Sequence, residues 1–239
     1  MRVMSRQPIG KSNTLLEQII NSQKRINSMN RVPYEWYPSA KKLPVKNYNP
    51  NMIPSMALSQ INGVILHTTH SSTKTLEGIQ SDWEAKNKKY PKAESNAHFV
   101  IDRQGALGQY RRMSEFAASM HKFGPYYYSI ELIANWHYAD RPAPDPSTLG
   151  ITMPQMITVS SLISDLANIF GFPIKAIGRT AYGPKSLAEI GQGVGYHAQV
   201  DSTDCGKNSY WKGDSRSQVV TKEFQTIVSW ASFYQKFGY

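Results

Sequence analysis

Ile61-Asn62-Gly63-Val64-Ile65-Leu66-His67 is an apolar run without polar alternation, the pattern of a strand buried on both faces, and it ends in a histidine. Residues 73 to 86 follow with a Ser/Thr start and with Leu76, Ile79 and Trp83 on one side of a predicted helix. Where helices are interspersed with strands in this way along a chain, they imply an α/β arrangement around a mixed sheet. Downstream, Ala97-His98-Phe99-Val100-Ile101, the turn Asp102-Arg103-Gln104-Gly105 and Ala106-Leu107-Gly108-Gln109-Tyr110 read as a hairpin. Tyr127-Tyr128-Ser129-Ile130-Glu131-Leu132-Ile133 reads as another strand, interrupted by a single carboxylate.

The plainest helix spans residues 152 to 170. Thr152 is a candidate N-cap, Met156, Val159, Ile163, Leu166 and Phe170 recur at spacings of three and four, and Gly171 and Pro173 stop it. Residues 174 to 177 suit a further strand. Residues 178 to 196 hold five glycines and read as loop, and residues 221 to 237 form a last helix with Phe224, Val228, Ala231 and Tyr234 in register. The expected architecture is α/β, a central mixed sheet flanked by helices, with an N-terminal helix and an extended arm.

The arm comes from the first quarter of the chain. Leu15, Ile19, Ile26 and Met29 make a short amphipathic stripe, and Pro33, Pro38, Pro44, Pro50 and Pro54 then forbid long helix while Tyr34, Trp36, Tyr37 and Tyr48 supply apolar contacts. We expect residues 1 to 56 to be a basic helix and wrapping arm, and residues 57 to 239 to be the main domain. Of the net charge of +10, residues 1 to 56 hold nine basic against two acidic groups (9 − 2 = +7), which leaves 10 − 7 = +3 for the rest. Attraction to an anionic partner therefore resides in the arm. No nucleic-acid recognition motif accompanies the charge, so nucleic acid is not expected as a partner. No stretch approaches the roughly 20 apolar residues of a membrane span, and no signal-peptide run is visible at the start, so a soluble chain without an export address is expected. One cysteine, Cys205, excludes an intrachain disulfide.

All six histidines lie between His67 and His197, and Cys205 follows closely. Two imidazoles and a thiolate on tetrahedral zinc leave a fourth position for water, a catalytic pattern. Ligands on separate elements have no fixed spacing, so by themselves these residues fit ordinary packing as well as a metal site. Trp136 and Tyr126 to Tyr128 offer flat faces for sugar rings or for a core, and the sequence leaves both open.

The order of the fragments is more specific. Val64-Ile65-Leu66-His67, the His98 hairpin, Ser129-Ile130-Glu131-Leu132, Thr152-Met153-Pro154-Gln155, and His197 with Cys205-Gly206 eight residues on together resemble the zinc-dependent N-acetylmuramoyl-L-alanine amidases of type 2, a family that includes peptidoglycan recognition proteins. The likeness covers roughly residues 60 to 237. It implies one zinc ion held by His67, His197 and Cys205, with Glu131 as catalytic carboxylate and Thr203 polarising the substrate carbonyl. It places His121 in the substrate groove and keeps His98 in the hairpin beside the site, as a packing or supporting residue rather than a metal ligand. His98 and, from its flat face, Trp136 are counted among the candidate substrate contacts. Where some members carry a catalytic tyrosine directly before the hairpin histidine, this chain has Ala97, which puts more weight on Glu131.

The implied activity is cleavage of the amide between the lactyl group of N-acetylmuramic acid and the L-alanine of the stem peptide. The alternative is a non-catalytic peptidoglycan-binding module of the same fold. Retention of Cys205 favours the enzyme, because non-catalytic members typically lose that ligand. The implied partner is bacterial peptidoglycan, which is anionic, and a cognate inhibitor protein is expected if the chain is a delivered toxin. The place of action would be periplasm or cell wall, reached by lysis, a secretion machine or an unseen leader.

Overall fold

The computed structural model describes residues 33–46, 55–69, 73–90, 96–117, 121–134, 150–177, 186–196 and 216–238. They build one six-stranded sheet from β1 (Lys41–Lys42), β2 (Gly63–Thr68), β3 (Phe99–Ile101), β4 (Leu107–Gln109), β5 (Tyr127–Leu132) and β6 (Gly193–Tyr196), in the order β1-β4-β3-β5-β2-β6. The β3–β4 hairpin is antiparallel and the other pairs are parallel, so the sheet is mixed as expected. The helices are α1 (Leu76–Lys89), α2 (Met153–Phe170), the single turn α3 (Leu187–Ile190) and α4 (Arg216–Phe237).

Side chains alternate across a strand, and the apolar clusters follow that alternation. Val64 and Leu66 of β2, Phe99 and Ile101 of β3, and Tyr128, Ile130 and Leu132 of β5 pack on one face against Val159, Leu162, Ile163 and Leu166 of α2 and Phe224, Ile227 and Ala231 of α4. On the other face Val100, Tyr110 and Ile133 meet Leu76 and Ile79 of α1, and Ile65 and Tyr127 meet Ile177 and Ile190. The adjacent interior strands β2 and β5 are thus covered on both sides, which is why they read as near-continuous apolar runs.

Local signals place α2 well. Thr152 caps it in a reciprocal box with Gln155, Pro154 sits in the first turn, and Gly171 ends it at φ 74°, where only a residue without Cβ is unstrained. Helix α1 begins three residues later than the spacing suggested, at the N-cap Thr75, whose hydroxyl accepts the Gly78 N–H at 3.1 Å. Leu76 and Ile79 are buried as expected, and Trp83 sets its ring against Tyr110 at 5.1 Å.

Two expectations are corrected. Residues 186 to 196 are not loop but α3 and β6, and residues 174 to 177 contribute only a single parallel bridge, Ala176 to Val194. The glycines that suggested a loop are instead the condition for a close strand contact. A Cβ on Gly193 would sit 2.2 Å from the Lys175 carbonyl oxygen, and one on its register partner Gly63 would sit 1.7 Å from the Gly193 oxygen.

Residues 33 to 46 are built into the sheet. β1 lies parallel to β4, the N–H groups of Leu43 and Val45 donate to the carbonyls of Gln109 (2.9 Å) and Tyr110 (3.2 Å), and Tyr37, Leu43 and Val45 are buried. The Tyr37 hydroxyl donates to Asp165 of α2, and Gln109 Nε2 donates to the Glu35 carbonyl at 2.9 Å. The expected N-terminal helix lies outside the described residues.

Candidate functional site

His67 and Glu131 are direct partners in the parallel ladder between β2 and β5. Both lie on the face turned away from α2 and α4, because Leu66, Ile130 and Leu132 occupy the other. In β5 every residue but Glu131 is buried, and in β2 the buried run stops where His67 begins. Neighbouring strands are about 4.8 Å apart, so the fold brings an imidazole and a carboxylate side by side at the carboxyl ends of two central strands. Ligands bind characteristically at that edge of open α/β sheets. The His67 Nε2 atom is shielded from solvent.

The third strand of the neighbourhood is β6. Its last residue, Tyr196, pairs with Leu66, and the next residue in the chain is His197. His197, Thr203, Cys205 and Trp136 lie outside the described residues, as does the side chain of His121, whose main chain opens the 3-10 segment His121–Tyr126. Among the described residues no three His, Cys, Asp or Glu side chains gather as a metal site. The donor His67 nevertheless fits zinc in type and place: a neutral imidazole nitrogen is a zinc ligand, and His197 enters the chain one residue beyond the β6 partner of Leu66.

His98 is corrected. Implied as a substrate contact, it is completely buried, with Nε2 donating to the Glu115 carbonyl at 3.0 Å and Nδ1 accepting the Ser129 N–H at 3.1 Å. Its ring joins the start of β3 to β5 and is closed off from solvent. Burial, reinforced by the nearby Arg111 charge, pushes its pKa down to about 3, and the hydrogen bond to Glu115 opposes this only in part. Below its usual 6.5 the unfolded chain accepts a proton that the folded ring refuses. Stability is therefore full above that value and falls as the pH drops towards about 3, by roughly 1.4 kcal/mol per pH unit from this group. Urea unfolding compared at about pH 7 and about pH 4.5 should show His98→Gln less stable at the higher pH and less sensitive to acid. Equal acid sensitivity in both proteins would remove His98 as the cause.

Tyr127 and Tyr128 are likewise packing residues, each with no exposed surface. Their hydroxyls donate to the carbonyls of Gly191 (2.6 Å) and Met113 (2.8 Å). A residue that sequence reasoning used only as part of a helix start is Gln155, whose side chain reaches the ends of β3 and β5. Its spacing from Thr152 signals a capping box and nothing more.

The mixed six-stranded sheet flanked by helices is the architecture that the motif order implied. No protein-family model and no curated protein matches the sequence. Among solved structures, the hydrolase AmiA of Staphylococcus aureus, crystallised in complex with its ligand, aligns at a TM-score of 0.53 and 12% identity over 95% of this chain and 94% of that one. The endolysin N-acetylmuramoyl-L-alanine amidase LysCS from Clostridium intestinale aligns at 0.46 and 14% identity, over 79% of this chain and 97% of its own. The Drosophila peptidoglycan recognition protein SA aligns at 0.42 and 13% identity, over 66% and 79%. The likeness to AmiA, end to end in both chains, establishes the shared fold.

Proposed function

We propose that this chain is a zinc-dependent peptidoglycan hydrolase that cleaves the amide between the lactyl group of N-acetylmuramic acid and the L-alanine of the stem peptide. The observation that carries the reading is the pairing of His67 with Glu131, the one residue of β5 that is not buried, at the carboxyl ends of β2 and β5. An interior strand position keeps a carboxylate there at a cost in burial, and general acid–base work on a bound amide is a reason to keep it.

The zinc ligands in this reading are His67, His197 and Cys205. Zinc, when bound, supplies Lewis acidity to a carbonyl oxygen and lowers the pKa of water towards about 7. Glu131 takes a proton from the attacking water and returns it to the leaving amine nitrogen, so one carboxylate serves both half-steps. Thr203 donates towards the substrate carbonyl oxygen, and His121 and Trp136 border the groove. The partner is bacterial peptidoglycan, met in the periplasm or wall, and an inhibitor protein covering the groove accompanies the chain if it is a delivered toxin.

Digestion of purified sacculi tests the bond that is cut. Free L-alanine amino termini with intact glycan strands are expected, together with about one zinc per chain in protein purified without added metal. New reducing ends without new amino groups would refute amide cleavage. Less than half an equivalent of zinc after reconstitution would refute the ligand set. Tight binding to sacculi with no released product would identify the non-catalytic binding module.

A further inference from the structure

Gln155 stands in the first turn of α2 and is completely buried. A side-chain amide has two N–H donors and one carbonyl acceptor, and this one uses all three. Nε2 donates to the carbonyl of Ile101 at 3.1 Å and to that of Ile133 at 3.0 Å, and Oε1 accepts the Thr152 N–H at 3.0 Å. Ile101 is the last residue of β3, and Ile133 comes directly after β5. At this edge the Ile133 N–H donates to Ile101 (3.0 Å) and the Thr69 N–H donates to Leu132 (3.1 Å). The Ile133 carbonyl lies one residue beyond the paired strand, in a residue with no exposed surface. A buried carbonyl needs a donor, and Gln155 supplies it.

Other bonds hold α2 to the hairpin. Thr152 Oγ1 donates to the Arg103 carbonyl (2.7 Å), Arg103 Nη1 to the Gly150 carbonyl (3.2 Å) and Thr158 Oγ1 to the Gly105 carbonyl (2.8 Å). These stop at the turn between β3 and β4 or within the lead-in to α2. Gln155 carries the connection across to β5, two residues from Glu131 and next to Leu132, whose carbonyl anchors the chain just past His67.

We infer that Gln155 is a positioning residue of the site: its amide ties the carboxyl ends of β3 and β5 to the start of α2 and so fixes the main chain that carries Glu131. The consequence for rate rests on Glu131 being the general base, whereas the anchoring does not. No other side chain of this length does the same work. Glutamate would set a carboxylate against two carbonyl oxygens, asparagine is one methylene too short, and methionine fills the volume without donors.

Amide hydrogen exchange on Gln155→Met is the decisive measurement, read beside hydrolysis of a soluble muropeptide. The Ile133 and Thr69 N–H groups should exchange at least about tenfold faster, while Val64 and Ile79 keep their protection. The value of kcat should fall by about tenfold or more with KM changed less than about threefold, because orientation rather than binding is lost. Unchanged exchange at Ile133 and Thr69 overturns the inference, and so does an equal loss of protection across the whole sheet, which would make Gln155 a general stability element. If the unmodified chain turns over no muropeptide, the functional proposal fails while the exchange result still decides the anchoring. If Gln155→Met does not fold, native-state exchange of the unmodified chain in rising denaturant decides it: Ile133 and Thr69 should open only with global unfolding, and fraying below that limit overturns the inference.

Discussion

Glu131→Gln is expected to lower kcat for muropeptide hydrolysis by about 10²- to 10⁴-fold, with zinc content, KM and thermal stability close to those of the unmodified chain. The two side chains have the same shape, and position 131 is partly exposed at the strand end, so the change disturbs neither the β5 ladder nor the core beneath it. On the proposed mechanism, what is removed is the ability to take and return a proton at one atom. The split between kcat and KM is the informative part, because a carboxylate that only bound substrate would raise KM and leave kcat. Turnover within about threefold of the unmodified chain would move the base to another group and take the functional proposal's central residue with it.

Removing residues 1 to 46 is expected to abolish folding, whereas removing residues 1 to 32 is expected to leave it intact. The first deletion strips Tyr37, Leu43 and Val45 from the core, all less than 9% exposed. At about 1.5–3 kcal/mol for each fully buried large apolar side chain, the loss approaches the whole stability of an ordinary domain, about 5–15 kcal/mol. It also uncovers β4, which β1 otherwise pairs, and removes the Tyr37 bond to Asp165. The second deletion takes away six basic residues and one acidic one, 6 − 1 = +5 of the net charge. It should weaken attachment to intact sacculi and flatten the salt dependence of that attachment, with hydrolysis of a small soluble muropeptide nearly unchanged. Urea melts and turnover of both truncations separate the roles. A folded, active chain beginning at residue 47 would show that β1 is dispensable, and equal losses on both substrates for the shorter deletion would defeat the charge argument.

The consequence is a sharper division of the arm than composition suggested. The prolines at 33, 38 and 44 pointed to extended chain and the aromatics to contact, but nothing local distinguishes a strap laid over a surface from a strand added to an edge. The difference lies in the groups opposite. The main-chain partners of Leu43 and Val45 are on Gln109 and Tyr110, more than sixty residues away in sequence.

Several elements were legible in the residues themselves because their causes are local. The N-cap at Thr152, the three-and-four spacing along α2, the stop at Gly171, the apolar run of β2 and the β5 run interrupted at Glu131 each reflect neighbours within a few positions, where backbone geometry fixes what faces what. His67 and Glu131 could be singled out as chemically unusual at the ends of such runs. Their being partners could not, since parallel register is set by packing between strands separated by a long crossover. The same holds for residues whose meaning depends on what approaches them. Gly193 reads as loop and Gly63 as an ordinary strand position until two backbones are seen to close on each other where a Cβ would collide. His98 reads as either a packing residue or a substrate contact until both ring nitrogens are found bonded to main chain in a sealed core. Spacing along the chain determined the long helices and the strands β2 to β5, and it singled out His67 and Glu131 as candidates. Only the tertiary structure decided which of those groups meet, because strand pairing and burial are set by contacts that the linear order does not contain.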